Sequence, residues 1–476
     1  MKKLLVGGIC FLLAAGLAFF GVQFYLKTGI FKVPGELKFE GVSEAAVAKY
    51  LEAVGEVELE KDVVVTERVV ERYEGGMLVD VVVPVADFDE PQEAITPEEF
   101  EERRKKGEGV VSVAELDENK KRLKVGEEYY LDGLASGAKF TLLEVNGEVE
   151  EEVTLVRERL KAILPEWPTR ETVLTFAQTG VTALSRGMNA KMAQGGDGKY
   201  FSANIAEFLR QFDLTHTSNE SSFSGWASAT NICSDWRFVD TLVDIGLDVV
   251  ELTGNHNVDC GAGDAVATFE KYQELGIKTV GGGRTATEAE VPLELSLKGT
   301  TITMLAYNQS TGGATYGETP GANQYYEENA RARIAEAKAR GDFVVVDVQF
   351  NECIFYDDVN ENTYCDRADS AAGDQVGLFR GLIDMGADVV VGTSAHQTQT
   401  FEQYNGGEIY YGLGNLFFDQ IWWPGTTRSL GLVHYFWKGK LLQTRRFGTV
   451  DGSDDQTRLM NTEEIEWFIN RLNQAR

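Results

Sequence analysis

The period of the apolar and polar pattern changes part-way along the chain. From Thr172 onward, short apolar runs end at Gly, Asn or His, and helical periodicity lies between several of them. A repeat of strand, polar loop and helix is typical of layered α/β folds. The predicted strands are TVLTFAQTG, DVVELTGN, KTVGGG, TITMLAYN, DFVVVDVQF, DVVVGTSAH and EIYYGLGNLFFD. The predicted helices are GDAVATFEKYQELG, YYEENARARIAEAKARG and DQVGLFRGLIDMG.

A different pattern precedes this region. Between residues 28 and 168, the strand-like runs DVVVTERVVERY, MLVDVVVPVADF and AKFTLLEVNGEV accompany one charged helical run, TPEEFEERRKKG. Two prolines in LPEWPTRE mark the boundary. We therefore predict an acidic α+β accessory domain at 28–168 and an α/β domain at 169–476. The charge runs of the accessory domain are interpreted as solvated faces, and none of its residues suggests chemistry.

The amino terminus is apolar from Leu4 to Leu26 and follows Lys2 and Lys3. A run of this length can span a hydrocarbon core of about 30 Å as a helix. The positive-inside rule then keeps the amino terminus cytoplasmic and exports the rest of the chain. The alternative is a signal peptide cleaved near Ala18. The continuing apolar run favours an uncleaved anchor at 1–27, so we expect a single-pass membrane protein whose bulk is extracytoplasmic.

The charge and the cysteines agree with export. A formal charge of −30 argues against generic binding to nucleic acid or to an anionic membrane surface, because such a field repels polyanions. Of the five cysteines, Cys10 lies in the anchor, and the other four suit two disulfides in an oxidising compartment. Three pairings exist. We expect Cys233 with Cys260 and Cys353 with Cys365, since each pair would hold a loop near the candidate site, and the spacing does not match a zinc cluster.

The loop after DVVELTGN concentrates polar groups. It carries Asn255, His256 and Asp259 among glycines, and His256 is one of only four histidines. An Asn carbonyl oxygen suits a hard metal, a His can ligate a metal or act as an acid, and an Asp can orient the imidazole. Taken alone, a Gly-Asn after a strand is also a common turn, and a lone His is often a hydrogen-bonded loop residue.

Two later loops carry similar groups. His396 follows the buried run of DVVVGTSAH. In YYGLGNLFFDQ, Gly412 and Gly414 would let the backbone approach a ligand, while Asn415 and Asp419 supply polar atoms. These side chains would gather at one edge of the sheets, where ligands of α/β folds bind.

Two other polar residues have competing interpretations. Arg186 can bind an anion or be an ordinary surface arginine. His434 alternates with apolar neighbours in GLVHYFW, which favours packing in the core over a role in the site.

Together, LTGNHNVDCG, GIKTVGGG and GADVVVGTSAHQTQTFEQYNGGEIYYGLGNLFFDQ resemble the CapA or poly-γ-glutamate capsule synthesis protein family, whose domain is similar to calcineurin-like metallophosphoesterases. The resemblance covers about Thr172 to Thr449 and does not include the accessory domain. It implies a four-layer sandwich, in which two sheets are flanked by helices and the site lies at the carboxyl ends of the strands.

The resemblance also implies roles for single residues. Asn255 would ligate a metal, and His256, oriented by Asp259, would contact or protonate the leaving oxygen. The predicted metal-binding residues are Glu220, Asn255, Gln349, Glu352 and His396. The predicted substrate-binding residues are Arg186, Asn219, Asn415 and Asp419.

The chain departs from the family pattern at three positions. Gly180 stands where an Asp is expected, Gln349 replaces a His, and the last loop begins with Thr393 and retains only His396. A two-metal site needs a bridging carboxylate and several His or Asp ligands. The remaining donors, with Glu352 as the carboxylate nearest to Gln349, fit one hard divalent cation (Mg²⁺, Ca²⁺ or Mn²⁺) or no metal.

Three functions are compatible with these observations. The first is a membrane-anchored hydrolase or transferase that acts on a cell-envelope or capsule polymer of the poly-γ-glutamate type, or on another phosphate- or amide-containing substrate. The second is a non-catalytic accessory protein or scaffold for the export and assembly of that polymer, with the polymer or its synthesis machinery as partner. The third is a purely structural surface domain, which leaves the ordered motifs at the strand ends unexplained.

Overall fold

The structure is a computed structural model that describes residues 35–115, 120–126, 131, 137–309, 312–350, 374–422, 424–452 and 456–474. The predicted anchor at 1–27 lies outside these ranges, and so do Glu352, Cys353 and Cys365. Within them, no helix combines the length and the apolar character that a membrane crossing needs.

The strands alternate with helices through most of the described chain. The strands are β1 (Leu37–Glu40), β2 (Val63–Val70), β3 (Met77–Asp87), β4 (Ala94–Ile95), β5 (Val110–Ser112), β6 (Lys120–Arg122), β7 (Lys124–Val125), β8 (Lys139–Gly147), β9 (Val173–Ala183), β10 (Leu214–Asn219), β11 (Val249–Glu251), β12 (Lys278–Val280), β13 (Gly282–Gly283), β14 (Leu293–Leu297), β15 (Thr300–Asn308), β16 (Gly321–Ala322), β17 (Phe343–Gln349), β18 (Val389–Thr393), β19 (Phe401–Tyr404), β20 (Gly407–Tyr410), β21 (Asn415–Phe418), β22 (Arg428–Trp437), β23 (Lys440–Asp451) and β24 (Thr457–Leu459). The α-helices are α1 (Glu44–Val54), α2 (Pro97–Lys106), α3 (Glu150–Lys161), α4 (Gly187–Ala193), α5 (Ala206–Leu209), α6 (Val239–Asp244), α7 (Ala262–Glu274), α8 (Ala286–Ala289), α9 (Glu327–Arg340), α10 (Gln375–Asp384) and α11 (Thr462–Asn473). Single 3₁₀ turns occur at Val113–Glu115, Gly198–Tyr200, Trp236–Phe238 and Pro424–Thr427.

The chain forms two compact units, and their boundaries differ from the predicted domains. The smaller unit combines residues up to Val82 with Ala138–Trp167, and the larger unit combines Val83–Gly137 with Pro168–Arg476. The predicted accessory domain at 28–168 is therefore divided between the two units. The reason is long-range bonding inside the larger unit, where Gln443 accepts from the backbone of Arg122 at 3.1 Å and Arg446 donates to the carbonyl of Phe88 at 2.7 Å.

The smaller unit is a sheet with helices. Strand β1 is parallel to β2, β2 is antiparallel to β8, and β8 is antiparallel to β3. Apolar residues of α1 and α3, including Tyr50, Val54, Val156 and Leu160, form one buried cluster with residues of these strands.

The larger unit contains two main sheets. The first has the order β12-β11-β10-β9-β22-β23-β24, with β21 paired to β9, and the second has the order β14-β15-β17-β18-β20-β19. One buried cluster includes Phe176 and Leu432 from the first sheet and Met304, Val345 and Val391 from the second, so the two sheets face each other across a shared core. Helices α9 and α10 pack on the other face of the second sheet. The prediction of an α/β fold is confirmed.

The sequence explains why these elements form. Strand β17 is buried along its whole length, as expected of a parallel strand that is covered on both faces. Helix α11 begins at a capping box in which Asn461 and Glu464 bond to each other's backbone. Its residues Ile465, Phe468 and Leu472 lie on one face and enter the shared core.

One predicted strand is two strands. The run EIYYGLGNLFFD contains β20, which pairs with β18 in the second sheet, and β21, which pairs with β9 in the first. The chain changes sheet at Gly412–Gly414, and Gly414 has φ of 78°, a conformation that favours glycine. This crossover connects the carboxyl edges of both sheets, where the candidate site lies.

Candidate functional site

The candidate site is built by loops that follow parallel strands. Glu220 follows β10, Asn255 follows β11, Gln349 ends β17 and His396 follows β18. Strands β9 to β12 are parallel to one another, and so are β15, β17, β18 and β20. Their carboxyl ends therefore meet at one edge, as the sequence predicted.

We call Glu220, His396 and Asn415 the acidic half of the site. The side chains of Glu220 and His396 are 1% and 3% exposed, and His396 Nε2 lies 3.7 Å from Glu220 Oε2. His396 Nδ1 donates to Asn415 Oδ1 at 2.9 Å, which directs Nε2 toward the carboxylate. Within the described chain, neither carboxylate oxygen of Glu220 has a hydrogen-bond donor. A buried carboxylate without a donor is costly, so this position favours a cation.

We call Asn255, Gln349 and Thr393 the amide half of the site. Gln349 Nε2 donates to Asn255 Oδ1 at 3.0 Å, and Thr393 Oγ1 donates to Gln349 Oε1 at 3.1 Å. All three side chains are neutral, and the oxygen of Asn255 that was predicted to ligate a metal is already an acceptor. Two hydrogen bonds therefore join the three side chains of this half into one group.

The side chains present decide which metal centre the site could hold. Among the described residues, no three His, Cys, Asp or Glu side chains are grouped so that they could hold a metal. A two-metal centre therefore does not fit the residues present. In the acidic half, Glu220 supplies an oxygen without a donor in the described chain and His396 an oriented nitrogen, which are two of the ligands that one divalent cation would need.

Steric contact explains why no carboxylate stands at position 180. A Cβ atom on Gly180 would lie 2.0 Å from the carbonyl oxygen of Gly414. That same oxygen accepts the backbone N–H of Val181 at 2.8 Å. The crossover between the sheets occupies the space that an Asp side chain would need.

The His256–Asp259 pair lies beside the acidic half. His256 Nδ1 donates to Asp259 Oδ2 at 2.6 Å, and the two side chains are 27% and 42% exposed. An isolated β-bridge joins His256 to Ser221, the residue after Glu220. The loops approach so closely that a Cβ atom on Gly254 would lie 2.7 Å from Glu220 Cα.

A disulfide holds these two loops together. Cys233 and Cys260 are bonded, as the sequence predicted, and they connect the loop after β10 to the loop after β11. Ser222 Oγ also donates to the carbonyl of Asn257. The second predicted pair, Cys353 with Cys365, lies outside the described residues.

The predicted substrate-binding residues have different surroundings. Asn219 is buried, and its amide group donates to the carbonyl of Ser221 and the hydroxyl of Tyr272, both at 2.8 Å. Asn415 orients His396. Arg186 and Asp419 form an ion pair of 2.6 Å in which the Arg186 side chain stays 30% exposed.

Sequence reasoning missed a buried polar cluster one layer below the site. Gln178 Nε2 donates to Asp347 Oδ1 at 2.5 Å, and His216 Nε2 lies 3.1 Å from Asp347 Oδ2. His434 Nε2 donates to Gln178 Oε1 at 3.3 Å, so this histidine is in the core, as predicted. Glu251 belongs to the same layer, since the charge of Asp347 acts on it. The available signal was a charged residue inside an apolar strand, as with Asp347 in β17 and Glu251 in β11, whereas His216 lies in the largely polar β10.

The environment of this cluster shifts two pKa values. Burial and the nearby charge of Asp347 raise the pKa of Glu251 to about 7. Burial, together with the neighbouring His216, lowers the pKa of His434 to about 3. Glu251 accepts the backbone N–H and the hydroxyl of Thr253, so it holds the first residues of the loop that carries Asn255.

A family model and two curated relatives all match this chain to capsule synthesis proteins. Residues 175–420, more than half of the chain, match the family described as "Bacterial capsule synthesis protein PGA_cap". The chain is similar to "PGA biosynthesis protein CapA" of Bacillus subtilis (strain 168), with 30% identity over 203 residues, covering 42% of this chain and 50% of that protein. It is also similar to "Capsule biosynthesis protein CapA" of Bacillus anthracis, with 28% identity over 203 residues, covering 41% and 46%. The matches span half or less of the length of these relatives.

Among solved structures, TT1561 of Thermus thermophilus aligns with 56% of this chain and 100% of its own, at 10% identity and a TM-score of 0.31. A TM-score and a sequence identity this low do not establish a relationship between the two proteins.

Proposed function

The chain belongs to the bacterial capsule synthesis protein family PGA_cap, and from this premise we propose that it is a hydrolase or transferase of capsule biosynthesis. Its substrate would be an anionic surface polymer of the poly-γ-glutamate type, which the names of its relatives support. We place its body outside the cytoplasm, anchored by Leu4–Leu26. The Cys233–Cys260 disulfide supports this location, because disulfides persist in oxidising compartments.

The observation that carries the catalytic proposal is the His256–Asp259 pair beside a buried carboxylate. The 2.6 Å bond from Nδ1 to Asp259 fixes the imidazole, which makes Nε2 the nitrogen that would give up a proton. In hydrolysis, a water oxygen bonds to the reacting carbon or phosphorus atom, and the bond to the leaving nitrogen or oxygen breaks. The leaving atom takes the proton from His256, and the proton lost by the water restores the imidazolium. In transfer, an acceptor hydroxyl or amine replaces the water.

The acidic half would hold the cation in this scheme. Glu220 and His396 would bind it, and Asn415 would keep His396 oriented. A hard cation bound there would supply charge stabilisation to an anionic substrate. We also propose that the domain has a metallophosphoesterase-like fold, as the family resemblance implies.

The test uses the purified full-length protein in detergent with poly-γ-glutamate as the probe. Polymer length is followed by size-exclusion chromatography, and new chain ends are counted by amine labelling. His256→Ala is expected to lower turnover by about 100-fold or more, because the proton donor is lost. Arg331→Gln is the matched control, since its ion pair with Glu327 is on the exposed surface. Full turnover by His256→Ala would refute the catalytic proposal.

The amide half favours a second candidate, a non-catalytic accessory protein for polymer export and assembly. Asn255, Gln349 and Thr393 are neutral and bonded to one another, unlike the charged ligands of a dinuclear catalytic centre. Cells that carry His256→Ala and still display normal surface polymer, while cells without the protein display none, would support this candidate over the enzyme.

A further inference from the structure

Arg186 has a backbone conformation that few side chains adopt. Its φ is 47° and its ψ is −111°, and it directly precedes α4. A non-glycine residue in this region is strained, and such strain persists only where the surrounding structure imposes it. An ordinary surface arginine needs no such conformation. The surrounding structure therefore determines where the Arg186 side chain lies.

Two neighbours fix the direction of the Arg186 guanidinium. Nε and Nη2 both donate to Asp419 Oδ1, at 3.1 and 2.6 Å. The other oxygen of Asp419 accepts the backbone N–H of Gly187 at 2.9 Å, which holds the carboxylate in turn. The guanidinium carbon also lies 4.4 Å from the centre of the Phe418 ring.

These contacts engage the Nε–Nη2 edge of the guanidinium and, among the described residues, leave its Nη1–Nη2 edge without a bound acceptor at Nη1. Within the described part of the chain, no acceptor bonds to Nη1, and the side chain is 30% exposed. The edge formed by Nη1 and the second hydrogen of Nη2 has the fork geometry that matches the two oxygens of a carboxylate or phosphoryl group.

The fixed guanidinium and the acidic half of the site share a neighbour, the ring of Phe418. The Phe418 ring that contacts Arg186 also contacts the His396 ring, with 5.0 Å between the ring centres. Phe418 is paired with Ala183 on β9, and the backbone N–H of Glu220 donates to the carbonyl of Thr182 on the same strand. Arg186 and Glu220 therefore flank the same end of β9.

We propose that Arg186 is a substrate-anchoring residue, which binds an oxyanion of the substrate, a carboxylate or a phosphoryl group, beside the acidic half. This inference rests on the proposed function and names the chemistry that the site recognises. Because Glu220 and Asp419 are both acidic, the site repels an anion unless a cation balances Glu220. Oxyanion binding should therefore become stronger when a divalent cation is present.

Calorimetric titration of the full-length protein in Mg²⁺ tests this inference with two probes, inorganic phosphate and a γ-linked glutamate trimer. Arg186→Gln is expected to weaken binding of at least one probe by about tenfold or more. Arg186→Lys, which keeps the charge but not the fork, is expected to weaken it about threefold. Arg331→Gln again serves as the control and should bind as the wild type does. Weakening of the trimer alone identifies a carboxylate, and weakening of phosphate alone identifies a phosphoryl group.

The inference is overturned if Arg186→Gln and Arg186→Lys bind both probes as the wild type does, or if the wild type binds neither probe. If Arg186→Gln unfolds at lower temperature, the comparison rests on Arg186→Lys, which retains the ion pair with Asp419. The outcome is separable from the proposed function. Loss of probe binding in Arg186→Gln together with full turnover in His256→Ala would keep the anchor and reject the catalytic role of His256.

Discussion

The acidic and amide halves of the site occupy the same edge of the fold but differ in what they leave unsatisfied. Glu220 is buried without a donor, whereas Gln349 is buried with its amide bonded on both sides. Both halves derive from loops at strand ends, and each has lost charged groups that the family pattern leads one to expect. Within the described chain, the acidic half therefore has carboxylate oxygens without a donor, whereas the side chains of the amide half are hydrogen-bonded to one another.

Restoring the expected carboxylate should break this arrangement most severely. In Gly180→Asp the new side chain would overlap the carbonyl of Gly414, which lies 2.0 Å from the position of its Cβ atom. We expect a loss of about 4 kcal/mol in the free energy of unfolding, measured by urea denaturation. Gly180→Ala should also lose stability, since its Cβ meets the same oxygen. A stable Gly180→Asp protein with a second bound cation would show that the site is not limited by this contact.

The layer beneath the amide half should make stability depend on pH. The pKa of Glu251 is about 7 in the folded protein, above its ordinary value of 4.5. The stabilisation from the protonated form is therefore fully present below pH 4.5 and is lost as the pH rises through 7. We expect this contribution to fall by roughly 3 kcal/mol across that window.

Glu251→Gln isolates this contribution from the other acidic residues. The difference in unfolding free energy between wild type and Glu251→Gln, measured in urea from about pH 4.5 to 8, should shift against the wild type as the pH rises. A constant difference would mean that Glu251 is ionised throughout or is not buried.

Removing one side chain from each half should change stability in opposite directions. Gln349→Ala leaves Asn255 and Thr393 without their shared partner and should cost about 2 kcal/mol. Glu220→Gln removes a buried charge without a donor and should leave stability equal or higher by about 1 kcal/mol when chelator is present. Urea denaturation with a chelator measures both. Equal losses in the two variants would contradict the distinction between the halves.

Local pattern was sufficient for much of the fold. The apolar runs that end at Gly, Asn or His located β11, β15, β17 and β18, because a strand buried on both faces has few polar residues. The run that became β20 and β21 was not divided, since the change of sheet at Gly412–Gly414 depends on contacts distant in sequence. The membership of residues 83–137 in the larger unit depends on bonds such as that between Phe88 and Arg446, which no local pattern reveals.

The site was predictable in part for a similar reason. His256, Asp259, Asn255 and His396 stand in motifs at strand ends, so their positions followed from the order of the elements. The buried cluster of His216, Glu251 and Asp347 was missed, because polar residues within a strand are also expected on the exposed face of an ordinary sheet. Only the packing of two sheets turns these side chains toward one another.

The number of divalent cations bound by each chain tests the contrast between the two halves most directly. Full-length wild type, Glu220→Gln and Gln349→Ala would be dialysed to equilibrium against Mg²⁺ and separately against Mn²⁺, and the bound metal counted by elemental analysis. We predict about one equivalent in the wild type and in Gln349→Ala, and none in Glu220→Gln. Two equivalents in the wild type, none in the wild type, or one that survives in Glu220→Gln would contradict a single cation held by the acidic half.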